Sequence, residues 1–286
     1  MACKIIVNRD SGNCKRVDIE ALARAIGCET AQIENICKTS DWSAEGFDTV
    51  VVCGGDGTLH HAIDKCQNQR IIYAPCGTLN ETSATESVLT TVGEVNGKKF
   101  SYVCACGSFT AIGYTAKCRH KQRWHRLAYL PQIFKQYKCH NLSATIELDG
   151  NVLDEDNYTL LMVIKGHRCF GFNFNRSYKK NKKLYLLAIK SPGKDCLLNR
   201  ARIFFPFFRV FFCGISHPMS KKCWFLKPFD KLTVRLNNAQ DFCLDGEKVS
   251  LGEVLEFSEQ HLANEIYIIK PPFCKRRKTE RYPIKN

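Results

Sequence analysis

Thr49-Val50-Val51-Val52-Cys53-Gly54-Gly55-Asp56-Gly57-Thr58 is the stretch on which the reading of this chain turns. Residues 49–53 are a continuous β-branched run without polar alternation, the mark of a strand covered on both faces in a parallel sheet. A glycine-rich turn follows, and then a helical pattern to about Gln67. Residues 70–74 read as the next strand. Upstream, residues 4–8 form a short β-rich run. Residues 16–27 carry Val17, Ile19, Leu22, Ala23 and Ile26 at helical spacing, with Gly27 at the C-terminal stop. Strands separated by helices imply βαβ units and a parallel sheet.

Glycines at positions 54, 55 and 57 let the backbone approach a ligand closely. Backbone N–H groups there, together with the helix N-terminus, make an anion site suited to phosphate. Asp56 adds a carboxylate whose natural work beside a polyphosphate is on Mg²⁺, directly or through water. The competing reading is a tight turn with Asp56 as its cap. A second loop, Pro75-Cys76-Gly77-Thr78-Leu79-Asn80-Glu81, follows the next strand. Adjacent parallel strands deliver their C-terminal loops to one edge, so both loops face the same nucleotide. Asn8 with Ser11-Gly12, after the first strand, reaches that edge too.

After about Lys99 the pattern changes. Strand-like runs follow one another at 100–106, 143–148, 158–165, 183–190, 222–226, 231–236 and 253–257. Turn signals lie between them at Asp149-Gly150, Ser191-Pro192-Gly193 and Asp245-Gly246. Two helical stretches interrupt, at about 123–137 and 198–212. This predicts a mostly antiparallel β-sandwich after the α/β part. Residues 265–270 read as a last strand, and the basic tail from Lys275 to Asn286 reads as poorly ordered.

The 286-residue chain is 44% hydrophobic and 24% charged, the composition of a folded globular protein rather than a disordered one. Its net charge of +14 favours anionic partners. No run approaches the ~20 apolar residues of a membrane span, and residues 1–10 hold no signal-peptide core. The expectation is a cytoplasmic protein, peripheral at the membrane. Its 17 cysteines include no C-x-x-C pair and read as reduced, buried small hydrophobes. The pair His60-His61 reads as solvated helix surface. The run Lys117, Arg119, Lys121, Arg123 and Arg126 fits lipid phosphate, nucleic acid or a solvated face equally. No helix-turn-helix, zinc-finger or aromatic RNA-binding signature is present, so nucleic acid is not expected.

The order and spacing of these motifs resemble the diacylglycerol kinase catalytic family, in its bacterial lipid kinase branch, with its relatives the sphingosine and ceramide kinases. Asn8-Arg9-Asp10-Ser11-Gly12 stands where the family has Asn-Pro-x-Ser-Gly. Gly54–Thr58 matches its nucleotide loop. Pro75 to Glu81 matches Pro-x-Gly-Thr-x-Asn-Asp, with Glu81 for the last aspartate. Gly107-Ser108-Phe109-Thr110, leading to Tyr114-Thr115, looks like the opening of the second domain, and Asp245-Gly246-Glu247 matches the late Asp-Gly-Glu. Departures are Arg9 for proline, His60-His61 where Asn-Glu or His-Glu is common, and residues 176–184, which lack the usual Pro-x-Ala and Asp-Gly.

The resemblance implies an α/β domain like that of NAD kinase and phosphofructokinase at residues 1–98. A β-sandwich lipid-substrate domain follows at 99–264, and a last strand returns to the first domain within 265–286. It implies an ATP-dependent kinase that phosphorylates a lipid hydroxyl, with ATP and Mg²⁺ in the cleft between the domains. The catalytic set is then Asp56, Glu247 as proposed base, and Glu81. Nucleotide contacts come from Asn8, Ser11, Gly12, Gly54, Gly55, Gly57, Thr58, Gly77, Thr78 and Asn80. Mg²⁺ falls to Asp56 and Glu81. An NAD kinase-like enzyme and a catalytically impaired binding homologue are the other readings. The aromatic segment 204–212 reads as a helix packed on the sandwich. Arg202 and Arg209 of the helix at about 198–212, with Lys179, Lys180, Lys182, Lys183, Lys221 and Lys222, suggest a face that docks on anionic membrane. Oligomeric state is open, a homodimer included.

Overall fold

A computed structural model describes residues 2–28, 30–37, 41–78, 80–108, 110, 137–169 and 171–273. The first four strands are β1 (Cys3–Asn8), β2 (Gln32–Ile36), β3 (Thr49–Gly54) and β4 (Arg70–Pro75). They are parallel and lie in the order β2-β1-β3-β4. Every residue of β3 is buried. Val50 and Val52 enter one core with Leu59, Ala62 and Ile63, while Val51 and Cys53 enter another with Leu22 and Ala23. That is the physical reason the run lacks polar alternation.

The intervening helices are α1 (Ile19–Ala25), α2 (Asp56–Lys65) and the single turn α3 (Glu81–Thr85). Asp18 caps α1 by accepting the Ala21 N–H at 3.0 Å, and Gly27, at φ +67°, lets the chain leave it. β2 went unread in the sequence because its residues alternate polar and apolar only weakly, Gln-Ile-Glu-Asn-Ile, on the exposed edge of the sheet.

The remaining strands are β5 (Val88–Val95), β6 (Lys98–Phe100), β7 (Val103–Gly107), β8 (Leu142–Leu148), β9 (Asn151–Ile164), β10 (Arg168–Cys169), β11 (Phe172–Asn173), β12 (Leu184–Lys190), β13 (Met219–Lys221), β14 (Trp224–Phe229), β15 (Lys231–Leu236), β16 (Asp241–Leu244), β17 (Glu247–Ser250) and β18 (Val254–Ile268). Two further helical segments are α4 (Tyr178–Asn181) and α5 (Leu197–Phe207), which widens into a π-helical stretch over Phe208–Cys213. From β7 to β17 the pairings are antiparallel. β9 is buried on both faces along its second half. Leu161 and Val163 join the core shared with β8 and β15, and Leu160, Met162 and Ile164 join the core under α5. The architecture is an N-terminal α/β part followed by a β-rich part.

Two expectations change here. The runs at 253–257 and 265–270 are one strand, β18. It pairs antiparallel with β15 and β5, then shifts register between His261 and Ile266 and runs parallel to β4. Through it the described strands of both parts, apart from the separate β10–β11 pair, form one 16-stranded sheet. The segment 204–212 is also not simply a core helix. Phe207 and Val210 are buried, whereas Phe204, Phe205, Phe208 and Phe212 are exposed. The basic run 117–126, most of the helix expected at 123–137, Phe109, Tyr114-Thr115 and the tail from 275 lie outside the described residues. No helix among the described residues is long and apolar enough to cross a membrane.

Candidate active site

β1, β3 and β4 end side by side, so the three loops that follow them meet. Their contact is backbone on backbone. A Cβ on Gly12, which sits at φ +34°, would lie 2.5 Å from the Gly77 carbonyl carbon, and one on Gly77 would lie 2.7 Å from Gly55 Cα. The Cys76 N–H donates to the Gly54 carbonyl at 2.8 Å, and the Asn13 N–H donates to the Cys76 carbonyl at 2.7 Å. The Cys14 and Cys76 thiols also touch, at 2.9 Å, and hydrogen bonding from Cys76 holds the Cys14 thiol below its ordinary pKa. Asn8 Nδ2 donates to Thr58 Oγ1 at 2.9 Å, which ties the first loop to the first turn of α2. Ser11 Oγ lies 3.2 Å from where a Gly55 Cβ would be. Asn80 Nδ2 donates back to the Gly77 carbonyl at 3.2 Å, and Thr78 is half-buried beside it. Glycine is the only residue that allows this approach. The N–H groups that open α2, at Asp56 and Gly57, have no acceptor within their own helix, as at any helix start.

Asp56 is buried, and its carboxylate reaches across to α3. Oδ2 accepts the Glu81 N–H at 2.7 Å and Oδ1 the Thr82 N–H at 3.3 Å. Asp56 therefore caps a helix, though the capped helix is α3 and not its own. Burial pushes the Asp56 carboxyl up to about 7. The charges of Asp245 and Glu81 push the same way, against the pull of the Glu81 N–H and the Thr82 side chain. The Glu81 carboxylate turns toward the β10–β11 hairpin. Oε1 accepts the Gly171 N–H, and Oε2 lies 3.7 Å from Arg168 Nε. Glu247 opens β17 and faces α2: a methyl group on Gly57 would lie 3.8 Å from its Oε1.

The turn that delivers Glu247 is held by the residue two places before it. Asp245 and Gly246 both have positive φ, +48° and +93°, as a tight two-residue hairpin requires. The buried Asp245 carboxylate accepts the N–H groups of Ser101, Tyr102 and Val103. His60, read from sequence as solvated surface, is buried against it. Nδ1 lies 3.6 Å from Asp245 Oδ2, and Nε2 lies 3.6 Å from Asp64 Oδ2. Burial alone would lower the His60 pKa, but the Asp245 carboxylate beside it, with the charges of Asp64 and Glu247, outweighs that and raises it. His61 stays exposed. The sequence signals for His60 were its i, i+4 relation to Asp64 and its place one helical turn after Asp56.

The predicted residues thus gather at one edge, with Glu247 approaching from the β-rich part. Asp56 and Glu81 do not form a ready cage for a cation, since each carboxylate already accepts a backbone N–H. Among the described residues no group of three His, Cys, Asp or Glu could hold a metal. The buried negative charge of Asp56, Glu81 and Asp245 still suits a cation that keeps its own water shell, as Mg²⁺ does.

Residues 3–96 match the family model of the diacylglycerol kinase catalytic domain. No curated protein matches the chain by sequence. Three solved structures from Bacillus anthracis are similar in fold, one named as a diacylglycerol kinase outright and two named so provisionally. One is 18% identical, covering 93% of this chain and 96% of its own, with a TM-score of 0.67. The others are 16% identical (93% and 96% covered) and 17% identical (94% and 97% covered), each with a TM-score of 0.65. Residues 3–96 thus match the diacylglycerol kinase catalytic domain model, and nearly the whole chain shares the fold of these three structures.

Proposed function

We propose that the chain is an ATP-dependent lipid kinase, which transfers the γ-phosphate of ATP to a lipid hydroxyl. The observation that carries this reading is the convergence at one sheet edge of three glycine-packed loops with the Glu247 carboxylate across from them. The loops offer N–H groups to a polyphosphate, and Asn8, Ser11, Thr58, Thr78 and Asn80 add side-chain polar groups around it. Glu247 takes the acceptor's proton as its oxygen bonds to the γ-phosphorus and the bond to ADP breaks. Asp56 and Glu81 would hold Mg²⁺ through water, and the ion would supply charge neutralisation at the β- and γ-phosphates. Asp245 and His60 fix the turn that carries Glu247.

The test uses the purified full chain with γ-labelled ATP, Mg²⁺ and a panel of hydroxyl-bearing lipids in mixed micelles. A labelled lipid is the expected product. Labelled NADP from a parallel reaction supplied with NAD as the acceptor, and no labelled lipid, would make the chain an NAD kinase. A melting temperature raised by MgATP with no labelled product would make it a binding homologue that lost turnover.

A further inference from the structure

Among the described residues, eleven large apolar side chains are exposed, and six of them lie between positions 197 and 212. They are Leu197, Leu198, Phe204, Phe205, Phe208 and Phe212, from 45% to 86% exposed. Helical spacing explains the arrangement. Ile203, Phe207 and Val210 face the core, so the rings four apart on the other side face out. Phe204 stacks on Phe208 at 5.9 Å, and Phe208 stacks on Phe212 at 5.3 Å. A continuous outward ladder of rings is not the scattered exposure normal for a protein surface.

The surroundings of the ladder are basic. Between positions 191 and 229 the only acidic residue is Asp195, and Arg200 neutralises it with two bonds of 2.8 and 2.6 Å. Lys194, Arg202 and Arg209 are exposed on the same stretch. Lys221 and Lys222 are exposed on the β13–β14 hairpin, whose Trp224 and Leu226 share the core with Phe207 and Val210. Insertable rings rimmed by unopposed cations fit one partner chemistry, the interface of an anionic bilayer. A second copy of this chain would set these cations against each other.

The ladder also leads to the site. Phe212 packs on Phe172 at 5.0 Å. The hairpin that carries Phe172 gives the Gly171 N–H to Glu81 and sets Arg168 beside it. We propose that the Phe204–Phe208–Phe212 edge seats the protein on an anionic phospholipid bilayer, and that the acceptor lipid passes from there along Phe172 to the Glu81 side of the cleft. The passage rests on the lipid-kinase reading; the seating does not.

Flotation of the full chain with vesicles tests the seating, using phosphatidylcholine alone and phosphatidylcholine with phosphatidylglycerol at 3:1, each at low and high salt. The wild type should bind the mixed vesicles at low salt and release from them at high salt. Phe205→Ser with Phe208→Ser should lower the bound fraction at least about tenfold without lowering the melting temperature, because neither ring is buried. Should that variant fail to fold, Arg202→Glu with Lys222→Glu, both at exposed positions, should give the same loss. Failure of the wild type to bind, or equal binding by the folded variants, overturns the proposal. So does a dimer in sedimentation that the Phe variant dissociates, since the edge would then belong to self-association. A variant that phosphorylates lipid in micelles like the wild type but fails on vesicles supports the passage. Vesicle binding by a wild type that phosphorylates no lipid would sink the kinase reading and leave the seating intact.

Discussion

Asp56 carries two tasks that conflict, and the conflict is measurable. Its carboxylate caps α3 from a buried position, and its pKa stands raised to about 7. A carboxyl whose folded pKa exceeds its unfolded value binds an extra proton in the folded state. The stability it contributes is therefore full below about pH 4 and is lost as pH rises through about 7. The ligand-free protein should lose up to roughly 4 kcal/mol at this residue across that window. Denaturant unfolding at pH 4, 5.5 and 7 should show a downward slope that Asp56→Asn largely removes; an identical slope in the variant would place the titration elsewhere. For Glu247, the position opposite Gly57 predicts that Glu247→Gln slows transfer by ~10²–10⁴-fold while MgATP still raises the melting temperature. An unchanged rate would remove Glu247 from the chemistry. Glu81 stands where the motif it resembles has an aspartate. Its full length is used to reach Gly171 and Arg168. Glu81→Asp should therefore behave like Glu81→Ala, with both slower than wild type in the labelled-ATP assay.

The elements explain why so many loop residues are glycine. Gly12, Gly55 and Gly77 touch because three strands of a parallel sheet end at one level, and no side chain fits between them. A methyl group at Gly77 would stand 2.7 Å from Gly55 Cα, backbone against backbone. Gly77→Ala should thus cost about 1–3 kcal/mol in denaturant unfolding and abolish the melting shift with MgATP. A variant as stable and as responsive as wild type would mean that the loops part easily. Three other turns share one local logic. Asn96-Gly97, Asp149-Gly150 and Asp245-Gly246 all have positive φ at both residues and close two-residue hairpins. Asp149-Gly150 and Asp245-Gly246 were turn signals in the sequence, whereas Asn96-Gly97 was not read there. Only Asp245-Gly246 brings a carboxylate, that of Glu247, to the candidate site, and its aspartate is held under the N–H groups of residues 101–103.

For the whole molecule, β18 is the joint. One end pairs with β15 in the β-rich part and the other with β4 in the α/β part, with β5 along its flank. Ile266 is fully buried at the second end and opposes Ile71 and Leu89. Ile266→Ala should cost about 2–5 kcal/mol. Unfolding followed by tryptophan fluorescence should stay a single transition in the wild type, since Trp42 and Trp224 sit in different cores of one sheet. Two separate transitions would show that the joint transmits little.

What the sequence determined by itself was local. A β-branched run without alternation meant a doubly covered strand. Glycine pairs meant turns, and helical spacing closed by Gly27 meant α1. Each follows from sterics and burial within about ten residues, so the α/β half and the three loops were legible together with their shared edge. The tertiary structure decided what depends on contacts between distant segments. Asp245 meets Ser101 across 144 positions, and Glu81 meets Gly171 across 90. His60 became buried because that distant turn lies over α2, which no periodicity on the helix encodes. The joining of two expected strands into β18 and the outward turn of four phenylalanines on α5 and the π-helical stretch after it have the same origin. Hydrophobicity says that a residue gains by leaving water, but only the packing of its neighbours says whether a place inside is left for it.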